Sequence, residues 1–197
     1  MTTFLVRHGQ TKWNIIGRKQ GQGDSPLSPK GRKQAIACGT LLSKHISQEI
    51  TIFVSPLGRA KETSDLVCSV LGNQIKEVIT VPELAELDYG LWQGLTDEEI
   101  DEKFPFERMR RYENHWGYQI PNGESYAMVE RRYLRWKQNQ KLEDTLIIAH
   151  EMINRVILGS YLQLPKKEIL KLKHPQNIVY KLSNQTVSEL SNPQFDF

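Results

Sequence analysis

Cysteine is scarce in this chain: Cys38 and Cys68 are the only two in 197 residues. Two cysteines, both inside amphipathic helical patterns, fit reduced core thiols better than a disulfide framework. No apolar run approaches the ~20 residues of a membrane span. The N-terminus lacks a charged region followed by a long apolar stretch, so neither span nor signal peptide is expected. The expected location is the cytosol, with no membrane partner. Charge of one sign is also lacking, because the formal net charge is only +3. Arg108, Arg110 and Arg111, and again Arg131, Arg132 and Arg135, have acidic residues interleaved with them, which reads as solvated helix faces and not as a nucleic-acid footprint. None of the five histidines has a metal-ligand spacing with its neighbours. There is no internal repeat and no low-complexity segment.

What the chain does have is an ordinary globular composition, 39% hydrophobic and 25% charged, in a length that suits one domain able to bury its own core. Three short apolar runs stand out. Phe4-Leu5-Val6 leads into Arg7, His8 and Gly9; Ile52-Phe53-Val54 leads into Ser55, Pro56 and Arg59; Leu146-Ile147-Ile148 leads into Ala149 and His150. Such runs read as strands buried on both faces of a parallel sheet, and ligands of open α/β sheets sit beyond the carboxyl ends of the strands. The pattern thus delivers cationic and imidazole groups to one edge.

Between the strands, Thr11 to Ile16 reads as a short helix followed by the glycine-rich loop Gly17 to Gly23. Ser28 before Pro29 signals a helix start, running to about His45, and Ser55 before Pro56 repeats that signal for a helix ending near Leu71. A weak strand is expected at Glu77 to Val81. The stretch from Pro82 to Gly94 is irregular and rich in acids and aromatics, as functional loops are. Thr96 with Glu99 makes a capping box. A long helix carries Tyr126, Val129, Tyr133 and Trp136 at core spacing, Met152 to Leu162 is an apolar helix, Pro165 restarts a charged helix to about Lys173, and Ile178 to Leu182 with Thr186 to Leu190 resembles a terminal hairpin. The fold class that follows is α/β, with three layers and a mostly parallel central sheet covered by helices on both faces.

Two arginines and two histidines converging on one crevice make an anion site, and planar guanidinium forks suit a phosphoryl group. The same arginines disfavour imidazolium, leaving a histidine neutral and able to attack phosphorus. A leaving alkoxide needs a proton donor, for which Glu83, Glu86 and Asp88 are all available; the residues alone do not choose. Singly, each group has a plainer reading: Arg59 as a surface residue weakly facing Glu62, Asn14 as a brace of the first turn, and His45, His115 and His174 as surface or loop residues, with His115 the one nearest substrate.

Arg7-His8-Gly9-Gln10-Thr11-Lys12-Trp13-Asn14 resembles the signature of the histidine phosphatase superfamily, the phosphoglycerate mutase-like family. The resemblance extends through Gln20-Gly21, Asp24-Ser25-Pro26-Leu27, Ser55 to Ala60, Leu84-Ala85-Glu86 with Gly90, Trp92 and Gly94, Gly123-Glu124-Ser125 and His150. It implies a single domain over 1–197 with a cap of helix and loop at about 89–125, and it makes His8 the phosphohistidine nucleophile, Arg7, Arg59 and His150 the phosphate pocket, and Glu86 the proton donor. Asn14, Gln20 and Gly21 would border phosphate or substrate. No metal or other cofactor is implied. The family usually has Gly after the second histidine, whereas here Ala149 and Glu151 flank His150; Glu151 is counted among the substrate-side residues, with its carboxylate expected outside the phosphate shell, limiting how large or acidic the substrate is. The expected activity is metal-independent hydrolysis of a small phosphorylated metabolite. The alternatives are a phosphoglycerate mutase-type phosphoryl transferase, which by resemblance carries a longer insertion than separates Glu86 from His150 here, and a non-catalytic phosphate-binding module. Specificity is expected between Tyr89 and Pro121, through Trp92, Arg108, Tyr112, His115 and Trp116.

Overall fold

Apolar strands buried on both faces must be covered twice, and the two coverings here are built from different helices. The computed structural model describes residues 2–140, 142 and 144–191. The strands are β1 (Thr2–Arg7), β2 (Ile50–Val54), β3 (Ile75–Thr80), β4 (Thr145–Ala149), β5 (Val179–Ser183) and β6 (Thr186–Leu190); the helices are α1 (Lys12–Ile15), α2 (Pro29–Ser43), α3 (Gly58–Leu71), α4 (Asp97–Lys103), α5 (Glu107–Glu113), α6 (Tyr126–Lys137), α7 (Glu151–Leu162) and α8 (Lys166–Ile169). The strand order is β3-β2-β4-β1-β5-β6. The first four strands in chain order are mutually parallel, and β5 turns back antiparallel to β1 before pairing antiparallel with β6. The sheet is therefore mostly parallel.

Alternation within each strand sorts its side chains by face. Phe4, Val6, Ile52, Val54, Leu146 and Ile148 pack with Cys38 and Leu42 of α2 and Ala60, Val67 and Leu71 of α3. Leu5, Phe53, Ile147 and Ala149 face the other way, onto Val129, Tyr133 and Trp136 of α6, Ile153 and Ile157 of α7, and aromatics of the irregular segment such as Trp92 and Trp116. β4 is buried at every position, as a central strand must be. The edge strand β3 is exposed beyond its first residue, which is why its signal in the sequence is faint.

Local chemistry sets the boundaries. Ser28 Oγ accepts from Gly31 N–H with Pro29 at the first helical position, and Thr96 closes its capping box with Glu99. The β5–β6 turn uses Asn184 and Gln185 at φ 50° and 60°, left-handed at both positions as a two-residue hairpin requires. Two expectations are corrected. The helix expected from Ser55-Pro56 begins only at Gly58, with Leu57 at its cap and no side-chain capping bond, because Ser55 is engaged elsewhere. The charged helix expected from Pro165 to Lys173 ends at Ile169. Both cysteines are free, and no helix among the described residues is long and apolar enough to cross a membrane.

Candidate active site

Pairing of β1 with β4 in register from Thr3/Thr145 to Arg7/Ala149, and of β2 with β4, brings the three strand ends level. The ladder continues one step further: His8 N–H donates to Ala149 O at 3.0 Å and Ser55 N–H to Ile148 O at 3.0 Å. His8, Ser55 and His150 therefore leave the sheet side by side. The His8 and His150 ring centroids are 5.0 Å apart.

The chain after His8 is held by the start of α2. A Cβ on Gly9 would lie 2.2 Å from Gly31 O, so this backbone-on-backbone seat requires glycine. His8 Nδ1 lies 2.8 Å from Gly9 O, and Arg59 Nε donates to His8 Nε2 at 3.3 Å. A carbonyl can only accept and a guanidinium can only donate, so the ring proton belongs on Nδ1 and the lone pair on Nε2. Burial, then the charges of Arg59 and Arg7, holds His8 well below the ordinary histidine value. His150 is held down likewise, by burial first and Arg59 next; its Nε2 is 2.6 Å from Ser55 Oγ, and its buried Nδ1 has no partner among the described residues.

Arg59 is 1% exposed and is no surface residue; Glu62, its supposed neighbour, pairs with Arg32 instead at 2.7 Å. Its guanidinium donates to Gly21 O and Gly23 O, each at 2.7 Å, and meets Asp24 at 3.3 Å. Gly21 sits at φ 54°, and a Cβ there would lie 2.7 Å from Tyr89 N. Arg7 Nη1 donates to His174 O at 3.0 Å and pairs with Glu151 Oε2 at 2.8 Å. His174, expected as a surface or loop residue, lies in a loop but is fully buried behind Arg7: its Nδ1 meets Asn154 Nδ2 at 2.9 Å and its Nε2 meets Ile178 O at 3.1 Å, and burial pushes it down to about 3.

Of the three candidate acids, only Glu86 reaches the site. Its carboxylate accepts from Leu87 N–H at 2.9 Å and from Met152 and Ile153 N–H of α7 at 3.2 and 3.3 Å, while Arg132 grips the backbone carbonyls of Glu83 and Glu86. Asp88 instead accepts from Gly90 N–H. A cavity of about 230 Å³ is lined by Arg7, His8, Arg59 and Glu86, with Asn14, Gln20 and Gly21 along its rim. Asn14 is also the brace of the first turn, closing a capping box with Thr11. Glu151, counted among the substrate-side residues, lines the same cavity: as the first residue of α7 its side chain lies between Arg7 and Arg155. His150 and Ser55 stand behind the cavity wall, both fully buried.

Arg18 and Lys19 also line the cavity and were not singled out in the sequence; their only signal was membership of the glycine-rich loop. Arg18 is paired with Glu99 at 2.6 Å and Lys19 with Asp97 at 2.8 Å. A second cavity of about 200 Å³ shares Lys19 and is bordered by Trp92, Arg108, Tyr112 and His115, four of the five residues expected to set specificity. Trp116 is instead stacked on Tyr126 in the core. Among the described residues no group of three or more His, Cys, Asp or Glu is placed to hold a metal ion.

An α/β sheet that ends in an arginine-framed histidine defines an enzyme of the phosphoric monoester hydrolase class, and comparison with known proteins agrees. The family model of the histidine phosphatase superfamily (branch 1) matches residues 3–187. The chain belongs to that superfamily. It is 31% identical over 181 residues to a 6-phosphofructo-2-kinase/fructose-2,6-bisphosphatase of Gallus gallus, an alignment covering 91% of this chain and 37% of that protein; the chain thus spans little more than a third of that curated relative. Among solved structures, a mycobacterial glucosyl-3-phosphoglycerate phosphatase in complex with VO3 is similar at 28% identity and TM-score 0.78, covering 96% of each chain. The alpha-ribazole phosphatase of Shigella flexneri is similar at 25% identity and TM-score 0.79, covering 97% of this chain and 95% of that one.

Proposed function

We propose that this chain hydrolyses a small phosphomonoester through a phosphohistidine on His8. The observation that carries the reading is the placement of the His8 ring, with Nδ1 tied to Gly9 O and Nε2 facing Arg59 at the wall of a cavity that also holds Glu86. In the first step the Nε2 electron pair attacks phosphorus, the bond from phosphorus to the ester oxygen breaks, and the Glu86 carboxyl gives its proton to the leaving alkoxide. In the second, Glu86 takes a proton from water, the water oxygen attacks phosphorus, and inorganic phosphate leaves with His8 restored. Arg7 and Arg59 carry the charge of the transferring group throughout. His150 stands behind the cavity wall, its Nε2 2.6 Å from Ser55 Oγ and its buried Nδ1 without a partner among the described residues.

The substrate is a phosphorylated metabolite whose organic part reaches the second cavity past Lys19, under a cap formed by residues 89–125. Relatives named for fructose-2,6-bisphosphate and glucosyl-3-phosphoglycerate make phosphorylated sugars and sugar-bearing phosphoesters the first compounds to screen. The test is turnover of p-nitrophenyl phosphate in the presence of a chelator, with the phosphoenzyme trapped by rapid quench. Wild type is expected to hydrolyse it and His8→Ala to be inactive, and the trapped phosphate is expected to survive base and be lost in acid. Turnover by His8→Ala, or a base-labile adduct, overturns the reading.

A further inference from the structure

A carboxylate facing a phosphate pocket calls for explanation, because at short range it repels a phosphoryl dianion. Glu151 Oε2 lies 2.8 Å from Arg7 Nη1, and the same side chain lines the cavity with His8 and Arg59. Its other oxygen, Oε1, is 2.5 Å from Arg155 Nη2, one turn along α7. The carboxylate is therefore shared between two guanidinium groups, one on each side.

Each partner has an independent hold. Arg7 Nη1 also donates to His174 O, so Arg7 does not depend on Glu151 for its place. Arg155 Nη1 donates to the hydroxyl of buried Tyr126 at 3.1 Å, which fixes Arg155 against α6. Among the described residues, the carboxylate between them is held by these two contacts.

We propose that Glu151 is a displaceable counter-ion: it occupies Arg7 between turnovers, yields Arg7 to an incoming phosphoryl group by falling back on Arg155, and returns to expel inorganic phosphate. The proposal rests on the reading of Arg7 as a phosphate ligand given above. A carboxylate and a phosphoryl oxygen cannot both sit against the same Nη1, so one must leave. With Arg155 already in contact, the departing carboxylate keeps one ion pair and is not stranded in a half-buried site. Competition of this kind weakens every phosphate-bearing ligand by the same factor. Substrate, which has an organic part to make further contacts, stays bound; inorganic phosphate, which has only the cradle, leaves. Glu151 thereby speeds the release of inorganic phosphate without changing the ratio of its affinity to that of substrate.

The test is the dissociation constant of inorganic phosphate, measured by calorimetry without turnover, together with its inhibition constant against p-nitrophenyl phosphate. Glu151→Gln keeps the shape and removes the charge, and is expected to tighten phosphate by about tenfold, the scale of one half-exposed charge contact. Arg155→Met removes the fallback seat and is expected to weaken phosphate several-fold, whereas Arg155→Lys stays near wild type and serves if the methionine variant does not fold. The double variant Glu151→Gln/Arg155→Met is expected to bind phosphate as tightly as Glu151→Gln alone. Unchanged or weakened binding in Glu151→Gln overturns the proposal, as does unchanged binding in a folded Arg155→Met. A purely structural role for the pair moves all variants in the same direction. Because the calorimetric constant is read at equilibrium without turnover, that arm of the test stands whatever the His8→Ala turnover result.

Discussion

The two arginines that frame His8 are buried to similar ends by opposite means. Arg59 is held chiefly by neutral carbonyls, Gly21 O and Gly23 O; its ion pair is a 3.3 Å contact with Asp24, which is 45% exposed, and Glu86 is the larger opposing charge. Arg7 is held by one carbonyl and spends its charge on Glu151. Carbonyl oxygens fix a guanidinium in place without cancelling its charge, whereas a carboxylate does both. Arg59 is thus the part of the cradle that is ready for an anion at all times, and Arg7 is the part that must first be released.

The sharpest break of that contrast is to remove each arginine. Arg59→Ala is expected to lower kcat/KM about 10³-fold, the scale of losing a preorganised charge donor, and Arg59→Lys to recover little because a single ammonium cannot reach Gly21 O, Gly23 O and His8 together. Arg7→Ala is expected to cost roughly tenfold less; equal losses would erase the distinction. Next in size is Glu86→Gln, expected to lower kcat by about 10²-fold on an alkyl phosphate and by less on p-nitrophenyl phosphate, whose leaving group needs little protonation. An equal loss on both substrates would assign Glu86 to positioning the start of α7 instead.

Gly21→Ala probes how Arg59 is anchored. At φ 54° and with Tyr89 N 2.7 Å from the new Cβ, the substitution is expected to destabilise the fold by about 1–3 kcal/mol and to raise KM by loosening the carbonyl under Arg59. Chemical denaturation and steady-state kinetics read the two effects separately.

The smallest effect concerns the residue behind Arg7. His174 has a folded-state value pushed down to about 3, below the unfolded ~6.5. Between those values the unfolded chain binds a proton that the folded one refuses, so stability is complete above pH 6.5 and falls as pH drops towards 3, by ~1.4 kcal/mol per pH unit for this group. His8 and His150 are displaced in the same direction. His174→Gln is expected to flatten the slope of unfolding free energy between pH 6.5 and 5 while leaving Arg7 in place, because Arg7 is held by the His174 backbone carbonyl and not by its ring. A parallel, undiminished slope would contradict the assignment.

These contrasts also mark what could be read from the sequence. Phe4 to Val6, Ile52 to Val54 and Leu146 to Ile148 were legible because a strand buried on both faces is apolar at every position, and the groups directly after them were legible because they follow the chain out of the sheet. Ser28 was legible as a cap since its partner Gly31 is three residues away. Ser55 has the same local signature, yet its hydroxyl meets Leu57 N–H two residues on and His150 across the sheet, not an amide three residues on, so the helix starts later than the local pattern says. Glu86 was not separable from Glu83 and Asp88, because what selects it is the amide edge of α7, distant in sequence. The loop position of His174 is legible but its burial is not, for the same reason: that burial depends on Asn154 and Tyr180. Glu151 was noticed as a departure from the family pattern, but its direction depended on Arg155, a neighbour visible in the sequence whose side chain had no evident target.

The seat of Gly9 on Gly31 carries a consequence for how this enzyme tolerates change. A Cβ on Gly31 would lie 2.0 Å from Gln10 O, just as one on Gly9 would strike Gly31, so neither position has room for even a methyl group and neither substitution compensates the other. In a saturation library scored for activity, both loci are expected to be depleted of every replacement although neither glycine is part of the cavity lining. Variation that improves this enzyme will have to enter elsewhere, with the rim beyond Lys19 offering more latitude than the turn that presents the nucleophile.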